Sequence, residues 1–133
     1  MSMKKDFRKW NDKKSTIDQI EKRPFFHERE IWWCNLGMNV GFEQDGGGKD
    51  YLRPVIIYRK FNNEIFWAIP LTHTDKKTKY YFQLTKEADI PTSTAILSQI
   101  RLVDARRLSH KLEVNISKED FATLTKKFKA LLP

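Results

Sequence analysis

From residue 30 to residue 103 the sequence is a series of short segments rich in β-branched and aromatic residues, separated by polar or glycine-containing stretches. Such segments favour β-strands joined by turns. We expect five strands, at residues 30–36, 52–61, 64–71, 79–85 and 94–103, with loops at 75–78 and 87–93. The continuous apolar run Val55–Tyr58 predicts a strand covered on both faces. Together these segments predict a small, strongly bent antiparallel sheet or a partly open barrel.

A helix is predicted at the end of the chain. Ser117 precedes Asp120 by three residues, which is a capping-box pattern for a helix start. The apolar residues that follow have spacings of three and four, which is typical of one buried helical face. They are Phe121, Leu124, Phe128 and Leu131.

The first 28 residues have a different character, with many charges and a narrow apolar stripe. We expect one or two helical segments within residues 4–22, started by capping at Ser15–Asp18 and ended by Pro24. Residues 1–29 carry nine Lys or Arg and five Asp or Glu, which is half of the net charge of +8. Two interpretations stay open, an arm that contacts the phosphates of a nucleic-acid partner and a solvated helix that covers a sheet edge.

Composition bounds the function. The 133 residues suit one domain, and no apolar run approaches the length of a membrane span. The single cysteine, Cys34, excludes an intrachain disulfide framework and a cysteine-based zinc cluster, so we expect a reducing cytoplasm and a buried thiol. The basic surplus indicates a polyanion partner, nucleic acid first. The alternative is that the charge only keeps the domain in solution.

The long segment Gly37–Tyr51 is predicted to be a loop. It contains Gly41 and the run Gly46–Gly48, so its ordering costs much conformational entropy and it should be mobile when empty. Its glycine spacing matches neither phosphate-binding glycine motif.

The clearest candidate site lies where this loop enters the next strand. A hairpin that turns at Asn62–Asn63 pairs Arg53 with Thr72, because residues 62 and 63 and residues 53 and 72 have the same index sum. An arginine beside a hydroxyl on a rigid sheet can clamp a phosphate. The alternative is a surface arginine that caps the sheet.

Other polar residues punctuate the predicted strands. Strand alternation would put Gln99 and Arg101 on one face, although Gln99 can also be a satisfied buried amide. Glu43 in the loop can act as a base or be simply solvated. The three histidines are far apart in sequence and offer no metal-ligand spacing.

Four motifs in order carry a resemblance to a family. They are Glu30-Ile31-Trp32, Glu43-Gln44 before Arg53-Pro54, Pro70-Leu71-Thr72, and Ser98-Gln99-Ile100-Arg101. Over residues 29–132 the chain resembles the MazF/PemK toxins of type II toxin–antitoxin systems. The resemblance implies an SH3-like, partly open antiparallel barrel with a C-terminal helix in residues 29–133. The basic helical extension at 1–28 is an addition to this family core.

The resemblance also implies a homodimeric, cofactor-free and metal-independent endoribonuclease. Such an enzyme cleaves single-stranded RNA by attack of the 2′-hydroxyl on the adjacent phosphate, and a cognate antitoxin neutralises it. Arg53 would stabilise the transition state, Thr72 would bind the phosphate and Glu43 would be the base. The RNA-binding residues would be Gln44, His73, Gln99 and Arg101.

The sequence departs from the family pattern at several positions. Ser98 stands where many members have an acid, Arg29 where many have glycine, and Phe42 where a polar or small residue is usual. Because Ser98 replaces this acid, the catalytic acid–base pair that one branch of the family uses is missing here. A non-catalytic module of the same fold that binds nucleic acid or protein therefore remains the alternative.

Overall fold

A computed structural model describes residues 5–48, 50–74, 76–85 and 94–133. The predicted loop at 87–93 lies outside these residues, as does Asp75 of the preceding loop. Two helices flank seven strands: α1 (Phe7–Asp18), β1 (Glu30–Asn35), β2 (Leu52–Lys60), β3 (Ile65–Thr72), β4 (Tyr81–Gln83), β5 (Thr94–Ile96), β6 (Arg101–Asp104), β7 (Leu108–Asn115) and α2 (Lys118–Lys129).

All strand pairs are antiparallel, in the order β4-β5-β3-β2-β1-β7, with β6 also paired to β3. Within the described residues no pairing joins the two ends of this order, so the barrel is partly open. The predicted fold class is therefore confirmed.

The sheet has a buried cluster on each face. Val55 and Ile57 pack on one side with Phe66, whereas Ile56 packs on the other side with Leu124 of α2. All five side chains are essentially inaccessible to water. Fully burying an aliphatic or aromatic side chain of this size contributes about 1.5–3 kcal/mol. The two-sided burial predicted for the middle of β2 is confirmed.

The segment predicted as one strand at 94–103 is broken, so that prediction was wrong. β3 pairs Leu71 with Ala95 and Ala68 with Arg101. Between these two pairs, five residues of the segment face only two residues of β3. Three of the five, Leu97–Gln99, leave the sheet as a 3-10 turn. Gln99 and Arg101 are consequently not related by simple strand alternation.

The chain after this segment contains a strand that the sequence analysis did not assign. β7 pairs with β1 and has an exposed, alternating surface, with only Leu108 fully buried. α2 begins as predicted, because the Ser117 hydroxyl accepts a hydrogen bond from the Asp120 amide.

The N-terminal helix starts at a different place from the one predicted. Asp6 caps α1 by accepting from the Lys9 amide, and Ser15 and Thr16 lie inside the helix. α1 ends at Asp18, well before Pro24. It packs on the roots of the long loop and on the turn Ala105–Arg107.

Candidate active-site cleft

A cleft of about 530 Å³ lies between the β1–β2 loop (residues 36–51) and the segment 96–101. Four of the seven predicted site residues line it, namely Glu43, Gln44, Gln99 and Arg101. Arg53, Thr72 and His73 are not among the lining residues. The residues predicted from sequence therefore form two neighbouring groups, one in the cleft and one at the ends of β2 and β3.

Arg53 belongs to the second group, and its guanidinium is oriented by backbone carbonyls. Nε donates to the Asp45 carbonyl at 2.7 Å and Nη1 donates to the Leu71 carbonyl at 3.0 Å. Among the described residues Nη2 has no hydrogen-bond partner. Burial lowers the pKa of Arg53, partly offset by the charge of Asp45. The guanidinium is thus fixed in direction and retains donors for an anion.

Thr72 is the last residue of β3, next to Leu71, whose carbonyl accepts from Arg53. The observed β2–β3 pairing begins at Val55 with Pro70, and two further residues of the same register would bring Arg53 opposite Thr72. The Thr72 hydroxyl accepts weakly from the Thr74 amide at 3.3 Å. No hydrogen bond joins Arg53 and Thr72, because the guanidinium reaches the Leu71 carbonyl instead. His73 follows on the surface and is exposed.

Glu43 closes a tight turn within the loop. Its Oε1 accepts from the Val40 amide at 2.8 Å, and its own amide donates to the Val40 carbonyl at 3.1 Å. The side chain is exposed at the cleft. Within the described chain Glu43 makes no hydrogen bond or ion pair with Arg53 or Thr72.

Gln99 holds the loop from the opposite wall of the cleft. Its Oε1 accepts from the Gln44 amide at 2.8 Å, and its Nε2 donates to the Phe42 carbonyl at 3.1 Å. Both ends of its amide are therefore satisfied by the backbone on either side of Glu43. Of the two readings of Gln99 from sequence, the satisfied amide matches these contacts.

Arg101 supplies positive charge to the cleft. It is half-buried, and within the part of the chain that the structure describes it makes no hydrogen bond or ion pair. Its charge contributes to a lowered pKa at Arg107, where burial is the larger cause. A partly desolvated cation without an acidic partner favours binding of an anion.

Sequence reasoning missed several residues of this region. Asn39 donates to the carbonyls of Leu36 and Gln44, and the Asp45 carboxylate accepts from the Asn39 amide at 2.6 Å. Phe42 is 99% exposed at the cleft. The only sequence signal for Phe42 was its departure from the family pattern. Asn39 and Asp45 have no local sequence signal of a functional role.

Three further observations concern the cysteine, possible metal ligands and possible membrane-spanning helices. Cys34 is fully buried, and burial raises the pKa of its thiol to about 12, which matches the predicted buried thiol. Within the ranges that the structure covers, no group of three or more His, Cys, Asp or Glu side chains could hold a metal ion. None of the described helices is both long and apolar enough to cross a membrane.

Comparison with known proteins gives one family match. Residues 27–132 match the family of PemK-like, MazF-like toxins of type II toxin–antitoxin systems. No curated protein sequence is similar enough to match.

Solved structures share the fold at low sequence identity. MazF from Deinococcus radiodurans (Form-I) is 19% identical with a TM-score of 0.63, covering 84% of this chain and 97% of its own. A mycobacterial endoribonuclease in complex with its cognate antitoxin is 13% identical with a TM-score of 0.62, covering 82% and 98%. A MazE–MazF complex from Deinococcus radiodurans (Form-II) is 17% identical with a TM-score of 0.58, covering 84% and 96%.

Proposed function

Because the chain belongs to the PemK-like, MazF-like toxins of type II toxin–antitoxin systems, we propose that it cleaves single-stranded RNA and is neutralised by a cognate antitoxin. Proteins with the same fold include an endoribonuclease with its antitoxin and a MazE–MazF complex. The proposal includes the homodimer that the family resemblance implies. The cytoplasm is the proposed location.

One observation carries the proposal: a guanidinium oriented by backbone carbonyls stands at the strand ends beside the cleft. Arg53 donates to the carbonyls of Asp45 and Leu71, so its direction is set before any substrate arrives. Preorganised donors stabilise developing negative charge without reorganisation during the reaction. A pentacoordinate phosphorane carries such developing negative charge on its oxygens. The planar guanidinium of arginine can donate two parallel hydrogen bonds to two of these oxygens.

The proposed reaction is attack of a ribose 2′-hydroxyl on the adjacent phosphorus. The 2′-oxygen forms a bond to phosphorus while the bond to the 5′-oxygen breaks. The departing 5′-oxygen takes a proton from a solvent water molecule, which leaves a 2′,3′-cyclic phosphate and a 5′-hydroxyl. Glu43 takes the proton of the 2′-hydroxyl through Oε2, since Oε1 is engaged by Val40. Arg53 stabilises the phosphorane, and the Thr72 hydroxyl donates to a phosphate oxygen.

The cleft supplies the proposed RNA contacts. Arg101 neutralises a phosphate, and the side chain of Gln44 offers an amide to base edges. Phe42 presents a fully exposed ring, on which an unpaired base can stack. His73 lies at the strand end beside Thr72, within the proposed path of the RNA. Gln99 contributes to RNA binding through the loop backbone that it holds.

The alternative is a non-catalytic module that binds RNA or protein. It is favoured by Ser98, an exposed hydroxyl in the cleft where many family members carry an acid. End mapping separates the two functions. Purified protein is incubated with a long single-stranded RNA, in EDTA and again with added Mg²⁺, and the new 5′ ends are mapped. Discrete cuts in EDTA support the nuclease, whereas retention of RNA without cuts in either condition supports the binding module.

A further inference from the structure

The N-terminal extension (residues 5–28) makes specific contacts with the β1–β2 loop. Trp10 and Ile17, on one face of α1, are 6% and 7% exposed and pack with Tyr51 and Met38. Tyr51 ends the loop and Met38 lies near its start. The apolar face of α1 therefore joins the two roots of the loop in a cluster separate from both sheet cores.

The loop backbone lies directly against the Trp10 ring. Gly37 has a φ of +76°, and a Cβ placed there would be 2.0 Å from the indole. Both the backbone conformation and the contact require glycine at this position. The centre of the indole ring also lies 5.7 Å from the guanidinium carbon of Arg107. Trp10 is thus enclosed between the loop and the barrel.

The ammonium group of Lys5 contacts three residues of the loop. Its Nζ donates to the Asn39 carbonyl at 2.6 Å and lies 2.9 Å from the Asp45 carboxylate. A longer contact reaches the Gly41 carbonyl at 3.4 Å. The Lys5 and Asp45 side chains are only 26% and 27% exposed, so water screens this ion pair less than a typical surface pair.

Asp45 connects Lys5 to the proposed catalytic arginine. Its carboxylate binds Lys5 and the Asn39 amide, while its carbonyl accepts from Arg53 Nε. A displacement of Asp45 would therefore move the carbonyl that orients the Arg53 guanidinium. Small displacements of a group that binds the reacting centre reduce rates strongly.

We propose that the N-terminal extension positions the β1–β2 loop, with Lys5 as the positioning residue for Arg53 through Asp45. The inference rests on the proposed function for its kinetic part. The positioning itself is a property of the protein without RNA. An extension that instead bound RNA directly would do so through its exposed positive charges. Removing any one of these charges would then weaken RNA binding to a similar extent.

The test compares Lys5→Met with Lys9→Met in the full chain. Both variants remove one positive charge from the extension and keep an unbranched apolar stem. Lys9, unlike Lys5, is exposed, and its side chain makes no hydrogen bond or ion pair with the described residues. Hydrogen exchange of peptides covering residues 36–51 reports loop order without RNA. We expect exchange about tenfold faster in Lys5→Met and unchanged in Lys9→Met. Lys5→Arg, which keeps a donor and the charge, should restore most of the protection.

Cleavage of a fluorescently labelled mixed-sequence RNA gives the second measurement. We expect kcat to fall about tenfold in Lys5→Met while KM and the salt dependence of RNA binding change little, since no phosphate contact is lost. Equal effects of Lys5→Met and Lys9→Met, or loop exchange that Lys5→Met leaves unchanged, overturn the inference. Should the unmodified protein cut no RNA, the proposed function fails, and the exchange comparison still decides the positioning.

Discussion

Arg53 is held by neutral acceptors rather than by an acid. Its two contacts are backbone carbonyls, and the nearby Asp45 carboxylate is itself paired with Lys5. Burial lowers the pKa of Arg53, yet an arginine stays protonated at neutral pH. An ion pair with an acid would have neutralised the guanidinium. Because Arg53 has only neutral acceptors, its positive charge stays available to bind a phosphate.

The Thr72 hydroxyl has a separable role in the proposed site. Thr72→Val keeps the shape of the side chain and removes the donor, so we expect kcat/KM for RNA cleavage to fall by about 10–100-fold. Thr72→Ser keeps the hydroxyl and should stay within about threefold of the unmodified protein. Thr123→Val, on the exposed face of α2, is the control and should cleave normally. Full activity of Thr72→Val would remove Thr72 from the site.

Arg29 has a backbone conformation that favours glycine. Its φ is +74°, in the left-handed region, and its backbone bonds both Ile57 and Ile116. A non-glycine residue there costs about 1–2 kcal/mol, and glycine's extra chain entropy offsets part of that cost. We expect Arg29→Gly to raise the free energy of unfolding by about 0.5–1 kcal/mol in urea denaturation. Arg29→Ala, which keeps a Cβ, should bring no gain, and a destabilised Arg29→Gly would contradict the strain.

At the scale of elements, the register of the β2–β3 hairpin was predicted although its turn was not. The sequence suggests a two-residue turn at Asn62–Asn63, but Lys60 pairs with Phe66, so the connection is one residue longer. A bulge at Tyr58 then shifts the register back, and Ile57 pairs with Ala68 as the predicted index sum requires. The two shifts compensate, so that Val55 pairs with Pro70 and the same register, continued by two residues, would bring Arg53 opposite Thr72. Neither shift has a local signal in the sequence.

The irregular segment after β5 could not be predicted for a related reason. Residues 94–103 contain neither glycine nor proline, so local pattern favours one strand. Its break follows from the pairing of β3 with two separate segments, which is a long-range constraint. This break is what turns Gln99 toward the loop backbone. The cleft therefore depends on tertiary pairing that residue pattern does not encode locally.

Asp104 ties the segment before β1 to the end of β6. Its carboxylate accepts from Arg23 at 2.9 and 3.0 Å and from Arg106 at 3.0 and 3.2 Å. Hydrogen bonds from Arg23, the largest cause, and from Arg106 hold the pKa of Asp104 well below its usual range despite its partial burial. Because the pKa is depressed in the folded state, the stabilisation is present above the unfolded pKa and is lost as pH falls through the folded pKa.

We therefore expect Asp104→Asn to lower the free energy of unfolding by about 1 kcal/mol at neutral pH, allowing for solvent screening. The difference from the unmodified protein should stay constant down to about pH 5 and narrow below about pH 4. Urea denaturation at several pH values measures it. Glu64→Gln is the control, since Glu64 is two-thirds exposed and 3.9 Å from Arg23. A difference that does not change with pH would contradict the linkage.

At the scale of the whole molecule, ion pairs connect the basic extension both to the β1–β2 loop and to the sheet, in addition to the apolar contacts of α1. Three of its cations, Lys5, Lys13 and Arg23, pair with acids elsewhere in the chain. The sequence correctly indicates a charged helical segment before residue 28, but not where it packs. Lys5 and Asp45 are forty residues apart, so only the folded chain brings them together. Neither sequence interpretation of the extension, RNA arm or edge cover, describes these contacts with the loop.

Cleavage of single-stranded RNA by Arg53→Ala tests the central claim most directly. The comparison uses the unmodified protein and Arg59→Ala, which removes an exposed arginine from the same strand. In EDTA, we expect the unmodified protein and Arg59→Ala to produce fragments with 5′-hydroxyl and 2′,3′-cyclic phosphate ends. Arg53→Ala should cleave at least about a hundredfold more slowly, with an unchanged circular dichroism spectrum. Undiminished cleavage by folded Arg53→Ala would contradict the account.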